Sequence, residues 1–149
     1  MKSRPSWDRY FMDIAKLAAT RSTCTRRSVG AVIVRNNNIL STGYNGAPTG
    51  IKHCEEETCI RNVRSIPSGT QLDICIGLHA EQNAILQAAK NGVSIKDSAI
   101  YCTTHPCLMC AKMIINCGII EVVYDDDYDD KESKRILEEA RIMTRKMVI

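Results

Sequence analysis

Two short motifs constrain the fold more than any other part of the sequence. The first is His79-Ala80-Glu81, and the second follows Pro106 and places Cys107 and Cys110 three positions apart. One imidazole and two thiols, with a carboxylate two residues from the imidazole, match a catalytic zinc site with an open fourth position. One metal can be bound in this way only if both segments lie side by side in the folded chain.

Each motif alone is weak evidence, because a helix-capping histidine beside an exposed glutamate, or a redox or structural zinc element, would explain it. A strand-sized segment separates them, and a helix is predicted after each. Together they are the established signature of zinc-dependent nucleobase deaminases. In that scheme His79, Cys107 and Cys110 bind zinc, which lowers the pKa of a bound water to about 7. Glu81 then moves protons between this water and the substrate.

The composition predicts one compact domain. The chain has 149 residues, of which 44% are apolar and 25% are charged, and a chain of this length buries about two-thirds of its unfolded surface. A net charge of +3 is too small to indicate binding to a nucleic acid polymer. Because we find neither a signal core nor about 20 consecutive apolar residues, we expect a cytoplasmic protein without membrane contact.

The hydrophobic pattern predicts a hairpin followed by alternating strands and helices. Strands are predicted at 29–34, 39–44, 99–103, 119–124 and 142–149, and helices at 7–21, 78–90, 106–118 and 129–140. Ser6 is the expected N-cap of the first helix. This order indicates an α/β protein, a three-layer αβα sandwich with a mixed central sheet of about five strands, in a single domain over residues 1–149. Residues 51–76 lack a sustained period and form a cysteine-bearing insertion.

The sequence contains eight cysteines, which in a reducing compartment favour metal binding or catalysis over disulfides. Cys102 and Cys117 lie in apolar runs, where a thiol acts as a small hydrophobic side chain. Four other cysteines lie in poorly structured segments and predict a second, structural zinc with His53 as a substitute ligand. They are Cys24, Cys54, Cys59 and Cys75. Free structural thiols are the alternative.

Three runs, GYNGAP at 43–48, HAEQNAI at 79–85 and TTHPCLMCAK at 103–112, resemble the deoxycytidylate deaminases of the zinc-dependent cytidine/deoxycytidylate deaminase family. The similarity covers residues from about 7 to about 128. It implies a cytidine deaminase-like fold and the hydrolysis of dCMP to dUMP and ammonia, which supplies dUMP for thymidylate synthesis in pyrimidine metabolism. The alternatives are a deaminase of another nucleotide (dCTP, cytidine or a purine) and a non-catalytic interaction module stabilised by zinc.

The resemblance also implies which residues contact the substrate: Arg26, Asn45, Ala80, Thr103 and Tyr128. Asn45 would bond the deoxyribose or base, the Ala80 amide the pyrimidine carbonyl oxygen, and the Thr103 carbonyl the departing amine. Arg26 and Tyr128 would hold the 5′-phosphate, because a guanidinium matches phosphate oxygens. Arg27 competes for the role of Arg26, and a solvated arginine and a packing tyrosine are the plain alternatives.

Nucleotide control is a further implication of the resemblance. It implies a homohexamer activated by dCTP with Mg²⁺ and inhibited by dTTP, with Tyr44, Gly46 and Lys90 near the effector interface. A solvated lysine at a helix end is an equally good explanation of Lys90. The acidic run at 125–130 is expected to cap the last helix, with a magnesium contact as the alternative.

Overall fold

The computed structural model describes residues 2–148. Its strands are β1 (Gly30–Arg35), β2 (Asn38–Tyr44), β3 (Ala99–Thr104), β4 (Glu121–Asp126) and β5 (Met143–Lys146). Its α-helices are α1 (Trp7–Ala19), α2 (Ile60–Val63), α3 (Ala80–Lys90), α4 (Leu108–Asn116) and α5 (Lys131–Glu139). The strands form one sheet in the order β2-β1-β3-β4-β5. β1 is antiparallel to β2 and β3, whereas β3, β4 and β5 are parallel.

Helices cover both faces of this sheet. On one face α1 packs Phe11, Met12 and Ala15 against the buried side chains of β1, β3 and β4. On the other face α3, α4 and α5 contribute alanines and larger aliphatic residues to a second core cluster. The mixed five-stranded sheet between two helical layers confirms the predicted three-layer α/β fold.

The first helix begins where its capping residue predicts. The Ser6 hydroxyl oxygen accepts a hydrogen bond of 3.2 Å from the Arg9 amide, which satisfies one of the free donors of the first turn. In contrast, α4 starts at Leu108 with Cys107 as its N-cap, so Pro106 precedes the helix instead of beginning it.

α3 approaches β2 closely because small residues meet at their contact. A Cβ added to Gly43 would overlap the Ala80 carbonyl oxygen and the Ala84 nitrogen. The Ser41 hydroxyl donates to the Ala84 carbonyl at 2.7 Å, and the side-chain amide of Asn83 donates to the Tyr44 carbonyl at 2.7 Å. These contacts fix the start of α3 against the sheet.

The insertion at 51–76 has little regular structure. It contains only the four-residue α2 and a 3-10 turn at Leu72–Ile74, in line with its lack of a hydrophobic period. The last predicted strand is realised as β5, and its final position, 149, lies outside the described residues. Across residues 2–148, no helix combines the length and apolar character that crossing a membrane requires.

Candidate active site

The two sequence motifs meet at the N-terminal ends of two neighbouring helices. His79 is the N-cap of α3, Cys107 is the N-cap of α4, and Cys110 lies in the first turn of α4. Both helices pack on the same face of the sheet. The positive end of a helix dipole favours a thiolate over a thiol. The fold therefore brings together all three side chains that the sequence predicts as zinc ligands.

The three donor atoms have the spacing of a metal site. His79 Nδ1 lies 3.4 Å from Cys107 Sγ and 3.3 Å from Cys110 Sγ. Tetrahedral zinc with its usual bond lengths places nitrogen and sulfur ligands about 3.5 Å apart, so the donor set fits zinc. Within residues 2–148, no other group of three or more His, Cys, Asp or Glu residues has its ligand atoms within 4.8 Å of one another.

The electrostatics of the cysteine pair suit metal binding. A hydrogen bond from Cys110, aided by His79, lowers the pKa of Cys107 to about 4. The same hydrogen bond, together with burial, raises the pKa of Cys110. Because cysteine binds a metal as the thiolate, metal binding at this pair releases protons.

Glu81 lies beside the three metal donors. Its side chain is only 4% exposed, and burial raises the pKa of its carboxyl group. Cys110 Sγ lies 3.6 Å from Glu81 Oε2, while the carboxylate stays outside the group of metal donors. A buried carboxyl with a raised pKa next to a metal site is suited to accepting and donating protons near neutral pH.

The start of α4 is held in place by α5. Asp130 is the N-cap of α5, and its Oδ1 accepts from the Ser133 amide at 3.0 Å. Its other carboxylate oxygen accepts from the Leu108 amide at 2.9 Å. Ser133, fully buried, donates its hydroxyl to the Pro106 carbonyl at 2.6 Å. The predicted capping role of the acidic run is thus met by Asp130, but no sequence pattern indicates its second bond, across to the zinc-binding turn.

A cavity opens in front of His79 and Glu81. Four of the predicted substrate residues line it, namely Arg26, Asn45, Ala80 and Tyr128. The fifth, Thr103, uses its hydroxyl to accept from the Gly30 amide at 3.1 Å, and the wall there is formed by Thr104 and His105. Sequence reasoning did not single out these two residues; the buried His105 has no partner for its Nε2 atom.

Asn45 is fixed by bonds at both ends of its amide. Its Oδ1 accepts from the Val29 amide at 2.9 Å, and its Nδ2 donates to the Arg27 carbonyl at 2.9 Å. One amide hydrogen remains for another partner. The side chain is therefore held in one orientation at the cavity wall.

The two neighbouring arginines have different surroundings. Arg26 donates to the Ile66 carbonyl at 2.8 Å and to Asn62 Oδ1 at 3.3 Å, which ties it to the insertion. Arg27 lies over the ring of Tyr128, 5.6 Å from its centroid, and donates to Thr104 Oγ1 at 3.3 Å. Both arginines line the cavity.

The second set of cysteines lines the same cavity, with Cys24, Cys54, Cys59 and Cys75 all on its wall. Burial raises the pKa of Cys54, and the charges of the other three thiols raise it further. Their sulfur atoms do not form a group of three at ligand spacing. His53 is exposed and is not on the wall.

The residues predicted near an effector are divided between surface and cavity. Tyr44 and Lys90 are exposed. Gly46 is buried, pairs with Leu78 through backbone bonds and lines the cavity. Its position beside the active site differs from that of the other two residues.

Comparisons with known proteins agree with this geometry. The family described as the cytidine and deoxycytidylate deaminase zinc-binding region matches residues 5–125. The deoxycytidylate deaminase of Schizosaccharomyces pombe is 44% identical over 146 residues, which cover 97% of this chain and 45% of that protein. The deoxycytidylate deaminase of Mycobacterium phage D29 is 40% identical over 127 residues, covering 82% of this chain and 96% of that protein.

A solved structure extends the similarity to three dimensions. The dCMP deaminase from the cyanophage S-TIM5, crystallised in complex with dCMP and dUMP, superimposes with a TM-score of 0.81 at 33% identity. The match covers 98% of this chain and 100% of that chain. The chain spans about half the length of the curated yeast relative that it matches, 45%, but 96% of the D29 protein and 100% of the S-TIM5 chain. The extent of these matches and the three zinc donors show that the chain belongs to the cytidine and deoxycytidylate deaminase family.

Proposed function

We propose that this protein hydrolyses dCMP to dUMP and ammonia and so supplies dUMP for thymidylate synthesis. The observation that carries the proposal is a single cavity lined both by His79, Cys107 and Glu81 and by Arg27 and Tyr128. A cytosine ring at the first group and a phosphate at the second match a nucleoside monophosphate. Relatives named deoxycytidylate deaminase and the S-TIM5 complex with dCMP and dUMP support this substrate.

The reaction needs a proton carrier, and Glu81 is suited to that role. Zinc, when bound by His79, Cys107 and Cys110, supplies Lewis-acid activation of a water molecule. Glu81 accepts a proton from the attacking water and delivers it to the ring nitrogen as the carbon–oxygen bond forms. Glu81 then transfers the remaining proton of the added water to the exocyclic amine. The carbon–nitrogen bond breaks, and ammonia leaves. Burial raises the pKa of this carboxyl group, which makes Glu81 a stronger base toward the attacking water than an exposed carboxylate is.

Backbone groups orient the base in this proposal. Ala80 is the first residue of α3, and an amide at this position has no acceptor within the helix. It is therefore free to bond the pyrimidine carbonyl oxygen. The Thr103 carbonyl would accept from the departing amine, next to the wall formed by Thr104 and His105.

The sugar and phosphate are assigned to other side chains that line the cavity. The remaining amide hydrogen of Asn45 would bond the deoxyribose. Arg26 and Tyr128 would hold the 5′-phosphate, and the position of Arg27 over the Tyr128 ring supports Arg27 as an additional partner.

A second zinc is part of the proposal. Cys24, Cys54, Cys59 and Cys75 would bind it, with His53 as a substitute ligand, and their common position on one cavity wall supports this assignment. Binding requires the four sulfur atoms to move closer together, because no three of them lie at ligand spacing in this structure. Near two zinc ions per chain by elemental analysis is the expected result, whereas one zinc in fully active protein would exclude the second site.

Regulation and assembly follow as proposals from the same family relationship. We infer a cytoplasmic homohexamer that dCTP with Mg²⁺ activates and dTTP inhibits. Tyr44, Gly46 and Lys90 would lie near the effector, and the exposure of Tyr44 and Lys90 supports their availability to a neighbouring subunit.

The test is turnover of a nucleotide panel by the zinc-loaded protein. We expect dCMP to be deaminated faster than dCTP, deoxycytidine, CMP or AMP, with dCTP and dTTP added in turn to detect control. Faster turnover of another substrate would assign a different deaminase activity. Folded, zinc-loaded protein that converts no substrate, with or without dCTP, would indicate an interaction module.

A further inference from the structure

A buried arginine in the insertion has no role in the site described so far. Arg61 lies in α2 and is only 8% exposed. Its Nε atom is buried without a hydrogen-bond partner, and its Nη2 makes one long bond of 3.4 Å to the Pro67 carbonyl. None of the salt bridges among residues 2–148 includes Arg61. A buried cation without an anion is unfavourable, so this position calls for an anionic partner.

The position of Arg61 points to a ligand of the active site. It lines the main cavity together with Glu81 and Tyr128. Arg61, Arg26 and Arg27 also line an adjoining cavity. The wall of that cavity contains no Asp or Glu. Burial raises the pKa of Tyr128, and the positive charges of Arg27 and Arg61 act against that rise, which places both cations within electrostatic reach of the phenol.

We propose that Arg61 binds the 5′-phosphate of the substrate and so selects a nucleotide over a nucleoside. The proposal rests on the proposed deaminase function. Arg26 already donates to Asn62 and Ile66, whereas Arg61 retains unpartnered donors that match phosphate oxygens. Without a phosphate, the guanidinium stays buried and unpaired, so a nucleoside binds less well.

A structural role for Arg61 makes a different prediction. Cys59, one of the proposed ligands of the second zinc, is the N-cap of α2. Arg61 could neutralise a cluster of thiolates there instead of a phosphate. In that case its removal would lower the zinc content and would affect nucleotides and nucleosides alike.

The experiment compares Arg61→Gln and Arg61→Lys with the control Arg64→Gln. Arg64 is the exposed C-cap residue of the same helix. We expect Arg61→Gln to reduce the preference for dCMP over deoxycytidine, measured as the ratio of kcat/KM values, by about 10- to 100-fold, mainly through KM. Arg61→Lys should restore part of this preference, because it keeps the charge without the planar fork. Arg64→Gln should keep the wild-type ratio.

A ratio of kcat/KM values that Arg61→Gln leaves unchanged would overturn the proposal, and a lowered zinc content in that variant would then assign Arg61 the structural role. If Arg61→Gln fails to fold, Arg61→Lys decides the question, because a smaller but measurable loss in the same ratio is expected from losing the planar fork. Calorimetric measurement of dCMP and deoxycytidine binding tests the role of Arg61 independently of the deaminase activity. Preferential dCMP binding that Arg61→Gln removes would support Arg61 even in a protein without turnover, and equal wild-type binding of both compounds would refute it.

Discussion

The wall of the active site is built from two regions that differ in how they are held. The zinc donors lie at the starts of α3 and α4, which pack on the sheet through a fully buried aliphatic core. The insertion at 51–76 forms the facing wall with one four-residue helix and a 3-10 turn. Its buried residues are Cys59, Arg61 and Ile66, and only one of these is an aliphatic side chain. The core thus positions the groups of the reaction, whereas the region proposed to select the substrate buries only a cysteine, an arginine and an isoleucine.

Because α3 packs on the buried core, we expect that a substitution at Glu81 can abolish catalysis without changing the structure. Glu81→Gln keeps the shape of a side chain on the rigid α3 but removes its ability to carry a proton. We expect kcat for dCMP to fall by about 10²- to 10⁴-fold, with zinc content and thermal unfolding unchanged. Steady-state kinetics and elemental analysis measure this effect.

The control is Glu138→Gln, which changes an exposed glutamate of α5 and should leave kcat unchanged. A Glu81→Gln variant that keeps more than about a tenth of the wild-type rate would assign the proton transfers to another group.

The second prediction tests whether a bound zinc ion, instead of a hydrophobic core, stabilises the insertion. Cys54→Ser removes one proposed ligand of the second zinc. We expect zinc content to fall from about two to one per chain and amide hydrogen exchange in residues 51–76 to accelerate by about 10- to 100-fold. Exchange in β1 and β3 should not change, because their amides are held by the sheet. Mass spectrometry of peptides from each region measures the contrast.

Cys117→Ser is the matched control, because Cys117 lies at the C-terminal end of α4 and outside both sets of proposed ligands. Equal exchange in wild type and Cys54→Ser over residues 51–76 would show that the insertion is ordered without a second metal.

The two regions also differ in how far sequence predicts them. The sheet, its helices and the meeting of His79 with Cys107 were predictable, because hydrophobic period and motif spacing are local signals. Within the insertion no period exists, so the short α2 and the burial of Arg61 were not predictable. The Asp130 bond to Leu108 spans 22 positions and depends on how two helices pack, which no local pattern specifies. Propensity placed Pro106 inside α4, but the cap formed by Cys107 starts the helix later.

The smallest expected effect concerns the link between α5 and the zinc-binding turn. Asp130 accepts one bond with each carboxylate oxygen, from Ser133 and from Leu108. An asparagine at position 130 has one acceptor oxygen and can satisfy only one of these amides well. Because asparagine is also a good N-cap, we expect the cap of α5 to survive and the bond to Leu108 to be lost.

Asp130→Asn should therefore lower the free energy of unfolding by about 1 kcal/mol and reduce kcat by a few-fold, because the turn that carries Cys107 and Cys110 is less well oriented. Urea unfolding and steady-state kinetics measure the two effects. Asp129→Asn, at an exposed neighbouring position, should change neither quantity. If Asp130→Asn loses stability but keeps its kcat, the sheet and α3 alone orient the zinc-binding turn. A loss in both quantities would show that the rigid side of the active site depends on α5 as well as on the core beneath it.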